Sequence, residues 1–242
     1  MLYIFLMLIT KYYSPNFNLR KRSGKSIIAI ILHYTGMQSE RESLKRLTNS
    51  RSKVSCHYLI GRNGKIFNLV KNEHIAWHAG KSRWGKYSNL NKNSIGIELV
   101  NKGHKFGYQS FTKKQIKKLI LLCKSLKKKY KIKNSHILGH SDIAPLRKVD
   151  PGEKFPWKYL SHKGIGSYPI IKKKIKKNKK TGDFKKFFRN LKKVGYCYLK
   201  IKFKKKIIEN FQRRYRQKRV NGILDLETLE ISEVLAKKSN IS

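Results

Sequence analysis

The stretch Ser26-Ile-Ile-Ala-Ile-Ile-Leu32, followed directly by His33, decides the reading of the fold. It has no alternation of polar and apolar residues, so neither side of a strand built from it can face water. Such a run reads as a strand buried on both faces, the habit of strands in a sheet covered by helices. His33 then stands at the carboxyl end of that strand, where open α/β sheets place their ligands. Taken alone, a histidine there is more often a hydrogen-bonded structural residue.

Outward from this strand the pattern repeats. Tyr58-Leu-Ile-Gly61 and Lys65-Ile-Phe-Asn-Leu-Val70 flank Asn63-Gly64, a strong hairpin signal, and Ser94-Ile-Gly-Ile-Glu-Leu-Val100 reads as another strand. Ser39-x-x-Glu42 and Thr112-x-x-Gln115 are capping boxes. The first opens a short helix with Leu44 and Leu47 inward. The second, stapled by Phe111 and Ile116, opens a longer helix with Ile116, Leu119, Ile120, Cys123 and Leu126 on one face and mostly lysine on the other. A short Ile137-Leu138 strand leads into a loop over residues 139–156. Strands alternating with helices, plus one hairpin, predict an α/β domain with a mixed central β-sheet flanked by helices over residues 25–168. Residues 169–182 read as a basic linker. Apolar residues at helical spacing (Phe184, Phe187, Phe188, Leu191; Ile207, Ile208, Phe211, Tyr215; Leu229, Ile231, Val234, Leu235) then predict a small three-helix domain over residues 183–238.

The chain is 242 residues long, with 58 Lys and Arg against 13 Asp and Glu, a formal charge of +45. Hydrophobic residues at 39% are enough for a real core, which excludes wholesale disorder. So few carboxylates point to an anionic partner or surface, although lysine drift in an AT-rich genome produces the same signature. The cysteines, Cys56, Cys123 and Cys197, are odd in number and far apart, so they spell neither a disulfide framework nor a zinc ribbon. Residues 1–24 form an N-terminal segment whose first ten residues are apolar but too short to span a bilayer. Its charges, Lys11, Arg20, Lys21 and Arg22, follow the apolar run instead of preceding it. The segment reads either as a weak signal or surface anchor or as an ordinary N-terminus.

The densest chemistry lies in Gly139-His-Ser-Asp-Ile-Ala-Pro-Leu-Arg-Lys-Val-Asp-Pro-Gly152. His33, His140 and Asp150 together offer N, N and O ligands, the set with which zinc hydrolases leave a fourth position open for water. No HExxH motif is present, so a thermolysin-like helix site is excluded. In the strand over residues 94–100, Ile95, Ile97 and Leu99 share one face and Gly96, Glu98 and Val100 the other. Glu98 must therefore sit on an exposed sheet face or in a cleft, with Gly96 leaving room for a ligand.

Seven pieces now stand in order: Ile31-Leu-His-Tyr-Thr35, Ser55-Cys-His-Tyr-Leu-Ile60, Ala76-Trp-His-Ala-Gly80, Ser94-Ile-Gly-Ile-Glu98, Gly139-His-Ser-Asp-Ile-Ala-Pro145, Arg147-Lys-Val-Asp-Pro-Gly152 and Phe155-Pro-Trp157. In that order they resemble the zinc-dependent N-acetylmuramoyl-L-alanine amidases of the amidase-2 family. Ser14-Pro-Asn-Phe-Asn18 and the stretch from Ile208 to Thr228 resemble its AmiD-type branch, which adds a C-terminal peptidoglycan-binding domain. The resemblance implies one zinc ion per chain on His33, His140 and Asp150, with Glu98 and Lys148 as catalytic residues. It further implies a substrate groove bordered by Trp77, His78 and Arg147; Trp77 as plain core is the alternative.

The expected activity is hydrolysis of the amide between N-acetylmuramic acid and L-alanine in peptidoglycan or its muropeptides. Two rival readings stand beside it. A basic nucleic-acid-binding protein would need a recognition motif that the sequence lacks, so no nucleic-acid partner is expected. A non-catalytic peptidoglycan receptor of the same fold would typically have lost a metal ligand, and all three are present. The expected protein is a monomer of the bacterial cell envelope, weakly associated with membrane or wall surface, with a cytoplasmic location as the alternative. A chain ending near Tyr168 is expected to keep its activity on small muropeptides, because every candidate site residue precedes residue 151.

Overall fold

A computed structural model of the protein describes residues 9–171 and 181–239. Most of the apolar N-terminal run (residues 1–8) and of the basic linker (residues 172–180) lies outside the described residues.

In chain order the first strands are β1 (Ile9–Lys11), β2 (Phe17–Asn18) and β3 (Ala29–Tyr34), followed by helix α1 (Glu40–Thr48). The hairpin β4 (Tyr58–Ile60) and β5 (Ile66–Asn68) comes next, then the short strands β6 (Ile75–Ala76), β7 (Arg83–Trp84) and β8 (Tyr87–Ser88). β9 (Ser94–Leu99), α2 (Lys113–Tyr130), β10 (Ile137–Gly139), α3 (His140–Ile143) and α4 (Trp157–His162) complete the α/β region. Three helices end the chain: α5 (Phe184–Val194), α6 (Lys204–Tyr215) and α7 (Leu226–Ser239).

The main sheet has the order β1-β5-β4-β9-β3-β10. Only the β4–β5 hairpin is antiparallel within it, so the sheet is mixed as predicted. The all-apolar run lies between two parallel neighbours, and its two faces feed two cores. Ile30 and Leu32 join Ile95, Ile97 and the inner stripe of α2. Ala29 and Ile31 join Leu138, Ile143 and the apolar faces of α5, α6 and α7. The sheet is thus covered on one side by α2 and on the other by the C-terminal helices.

Local signals explain the boundaries. Thr112 Oγ1 accepts from Gln115 N–H (3.1 Å) and Gln115 Oε1 accepts from Thr112 N–H (3.1 Å), closing the predicted capping box of α2. Asp225 Oδ1 accepts from Thr228 N–H (2.9 Å) and starts α7. The segment predicted as a loop after Gly139 begins instead with the helical turn α3. Asp142 Oδ2 draws in Gly139 N–H at 2.7 Å, which folds the start of that segment back on itself.

Candidate active site

Parallel pairing of β3 with β9 puts His33 opposite Glu98. Alternation sends both side chains to the face turned away from α2. β10 pairs with β3 from the other side and delivers His140 one residue past its end. Asp150 returns from the following loop, where its carbonyl accepts from Ser141 N–H at 2.9 Å. The site therefore sits beyond the carboxyl ends of three neighbouring parallel strands, as the open-sheet rule requires.

Three donor atoms converge there. His33 Nδ1 lies 3.0 Å from His140 Nδ1 and 3.0 Å from Asp150 Oδ2, and His140 Nδ1 lies 3.1 Å from the same oxygen. The partners behind them assign the protons. Ser94 Oγ–H donates to Leu90 O (2.5 Å), so His78 Nε2–H donates to Ser94 Oγ (3.3 Å) and His78 Nδ1 is left to accept from His33 Nε2–H (3.1 Å). His140 Nε2 lies 3.1 Å from Ala79 O and 3.3 Å from Arg147 Nη2; the carbonyl is nearer and can only accept, so the ring is read as donating Nε2–H to it. In neutral rings both Nδ1 atoms are then bare, and two lone pairs meet a carboxylate with no proton among them. A cation between the three relieves that repulsion. These chains of outer partners are what metal-ligating histidines carry.

Charge and burial agree. Burial, then the His140 ring, pushes His33 down to about 4, so it stays neutral near pH 7. His78 is held well below the ordinary histidine value, first by burial and then by His33. Burial alone would raise Asp150, but positive charge at this point, by way of His140 foremost, holds it well below the usual carboxylate range. Glu98 goes the other way, pushed up to about 8 by burial and then by Asp150, with Lys148 opposing. Its Oε2 is buried without a hydrogen-bond partner. A cavity of about 330 Å³ opens over these groups, bordered also by Tyr34, Arg46, Trp77, His78, Arg147 and Lys148. Every residue singled out from the sequence thus lies in or beside one cavity.

Their settings differ from expectation in detail. His78 borders the cavity, but both of its ring nitrogens are taken by His33 and Ser94. The space at Gly96, read as room for a ligand, is filled by that ring: a Cβ at Gly96 would lie 2.4 Å from His78 Cγ. Trp77 is half-buried, not core, and its Nε1–H donates to Asn18 Oδ1 at 2.7 Å. Arg147 donates to Lys81 O (3.1 Å) and to Ala79 O, the carbonyl that also orients His140.

The sequence reading missed Ser94, and it missed the groups that hold the loop from below. Asn210 and Arg214 of α6 and Tyr196 before it all reach the segment carrying His140, Lys148 and Asp150. A signal existed. Asn210 and Arg214 fall at i+3 and i+7 from Ile207, on the apolar stripe of their helix, where a polar side chain implies a buried partner.

With this geometry in place, similarity decides the family. A family model described as N-acetylmuramoyl-L-alanine amidase matches residues 23–153, more than half of the chain. The chain belongs to this amidase family. The N-acetylmuramoyl-L-alanine amidase AmiD of Escherichia coli is 35% identical over 232 residues, covering 88% of this chain and 83% of that one. The solved complex of the Escherichia coli amidase with the substrate anhydro-N-acetylmuramic acid-L-Ala-D-gamma-Glu-L-Lys superposes with a TM-score of 0.79 at 34% identity, covering 88% and 90% of the two chains. AMPDH3 of Pseudomonas aeruginosa superposes with a TM-score of 0.78 at 30% identity, covering 93% and 96%. Both likenesses extend past the α/β amidase region into the C-terminal helices.

Proposed function

We propose that this amidase hydrolyses the amide joining the lactyl carbonyl of N-acetylmuramic acid to the L-alanine of the stem peptide, using one zinc ion held by His33, His140 and Asp150. The convergence of two bare imidazole nitrogens and one carboxylate oxygen within 3.1 Å carries this reading. Zinc at that position supplies Lewis acidity to the scissile carbonyl and to the attacking water. Glu98, unpartnered at Oε2 and facing His33 across the sheet, would in its ionised form, which Lys148 and a bound cation favour, take the proton of the attacking water and pass it to the leaving amine. Lys148, two residues before Asp150 and on the cavity wall, stabilises the oxyanion of the tetrahedral intermediate. Trp77 and Arg147 border the groove for the sugar and peptide, and His78 serves by fixing the His33 ring.

Muropeptides are the substrates, as for the Escherichia coli relative solved with an anhydro-muropeptide. The helices over residues 183–238 and the lysine-rich outer face of α2 add affinity for the polyanionic wall or membrane surface. The protein works as a monomer in the bacterial cell envelope; cell fractionation separates this from the cytoplasmic alternative.

Zinc content measured beside turnover of anhydro-N-acetylmuramic acid-L-Ala-D-γ-Glu-L-Lys tests the assignment. Asp150→Ala should lose zinc and turnover together. Glu98→Gln should keep zinc while the chemical step slows by roughly 10²–10⁴-fold. Lys148→Ala should keep zinc and lose about 10²–10³-fold in kcat. Near-normal turnover in Glu98→Gln would remove the glutamate from the mechanism, and full activity in metal-free protein would remove the metal.

A further inference from the structure

The turn that carries Arg147 and Lys148 is closed from within by weak means. The amides of Arg147 and Lys148 both donate to Ala144 O, each at 3.1 Å. From without, Arg147's own side chain ties it to Lys81 O and Ala79 O, and a side chain of α6 holds its backbone. Asn210 of α6, 1% exposed, donates through Nδ2 to Pro145 O at 2.6 Å and to Lys148 O at 3.0 Å. An amide –NH₂ has two protons, so this one group can satisfy two carbonyls that face the same buried point. The neighbouring contacts are of the same kind. Asp142, two residues past His140, accepts from Tyr196 O–H (2.6 Å) and from Arg214. Arg214 also donates to Ile137 O (3.1 Å) and lies over the Trp157 ring at 4.0 Å.

We propose that Asn210 is a positioning residue for the amidase reaction. By tying the Pro145 and Lys148 carbonyls together, it fixes the direction in which the Lys148 side chain leaves the turn and the approach of Asp150 two residues later. It touches no reacting atom; it acts through backbone. The proposal rests on the amidase reading above, in which Lys148 faces the developing oxyanion. Without the Asn210 donor, the buried Pro145 carbonyl and the half-buried Lys148 carbonyl lose this partner and the turn relaxes to recover hydrogen bonds elsewhere. A shift of about 1 Å at a group aligned with the reaction is enough to cost about 10²-fold in rate. The C-terminal helices then contribute to catalysis itself as well as to wall binding.

The experiment compares Asn210→Ala with Asn190→Ala in the full-length, zinc-loaded protein. Asn190 is buried between α5 and α7 and its Nδ2 donates to Ser232 Oγ at 3.0 Å, so its loss removes a similar bond from the same helices without touching the turn. Asn210→Ala should lower kcat about 10- to 100-fold, with KM within about threefold of wild type. Amide exchange should rise in residues 144–150. Asn190→Ala should lower the melting temperature by a similar amount yet leave kcat within about twofold and exchange in 144–150 unchanged. Wild-type kcat and unchanged exchange in Asn210→Ala would overturn the proposal. So would parallel losses of kcat in both variants, which mark a general stability effect. If Asn210→Ala does not fold, Asn210→Asp keeps the volume, removes the donor and is read against the same outcomes. The exchange measurement needs no turnover, so inactivity of the wild-type protein would count against the amidase reading while exchange still decides the role of Asn210.

Discussion

The α/β region and the C-terminal helices bury polar side chains for different purposes. In the α/β region one group of buried polar side chains points inward to one place: His33, His140 and Asp150 face each other, and His78 and Ser94 stand behind them. In the helices some pair internally, as Asn190 does with Ser232 and Arg216 with Asp225, but another set points outward. Asn210 reaches the Pro145 and Lys148 carbonyls, Arg214 reaches Asp142, Gln217 reaches the Glu153 and Phe155 carbonyls, and Tyr168 O–H in turn donates to Tyr215 O. A module that merely hung on a linker would have little reason to bury donors against its neighbour, because each unmatched one costs about 1–3 kcal/mol. The difference teaches that the helices are matched to the underside of the active-site loop, and that the two regions share one core.

The largest effect should come from separating them. The sequence alone predicts that a chain ending at Tyr168 stays active on small muropeptides, and the packing predicts the reverse. Ending there exposes Ala29, Ile31, Leu138 and Ile143 and strands the Asp142 carboxylate. The shortened chain should fail to give a cooperative thermal transition and should lose more than about 100-fold in turnover. A soluble, active fragment would restore the two-body picture.

Next in size is the ion pair across the boundary. Breaking a buried pair by removing one partner typically costs about 3–5 kcal/mol, because the other charge stays buried alone. Arg214→Met should lose that much in urea unfolding. In the Asp142→Asn background the same substitution should cost less, since the orphaned charge is gone. Equal costs in both backgrounds would mean that the two groups are not coupled.

The histidines are confined to one side of the comparison. Residues 183–239 contain no histidine, whereas His33 is pushed down to about 4 and His57 to about 3, each first by burial. Below the ordinary value of 6.5 the unfolded chain takes up protons that these folded rings refuse. Stability should therefore fall as pH drops from 6.5 toward 4, by about 1.4 kcal/mol per pH unit for each such ring. If the regions form one unit, helix signals from α5–α7 should fall in step although no histidine lies there; helices that persist after the sheet has melted would break the comparison.

Smallest is Gly96→Ala. The added methyl collides with the His78 ring and should cost about 1–3 kcal/mol, the usual price of overpacking. Because the ring that orients His33 must move, zinc affinity should drop as well. Unchanged zinc affinity would show that His78 is dispensable behind its ligand.

Much of this was legible in the sequence, for local reasons. Residues 26–32 could be placed as a central strand because seven residues without polar alternation have few other uses. The capping box at Thr112 and the hairpin at Asn63-Gly64 are fixed by residues within a few positions of each other. That His33, His140 and Asp150 meet was legible because His33 and the 139–152 loop carry a dense, ordered pattern. What was not legible depends on partners far apart in the chain. Asp142 looks like a surface turn residue until Arg214, 72 positions later, is seen beside it. Gly96 looks like open space until His78 is placed against it. Neither spacing nor composition encodes those encounters.

The central claim, that sheet and helices form a single folded unit under the active-site loop, is tested most directly by hydrogen exchange across a urea titration. Amides of β3 and of α6 should open with the same free energy and the same dependence on urea, because only global unfolding exposes either. Opening of α6 at lower urea, with β3 still protected, would contradict it.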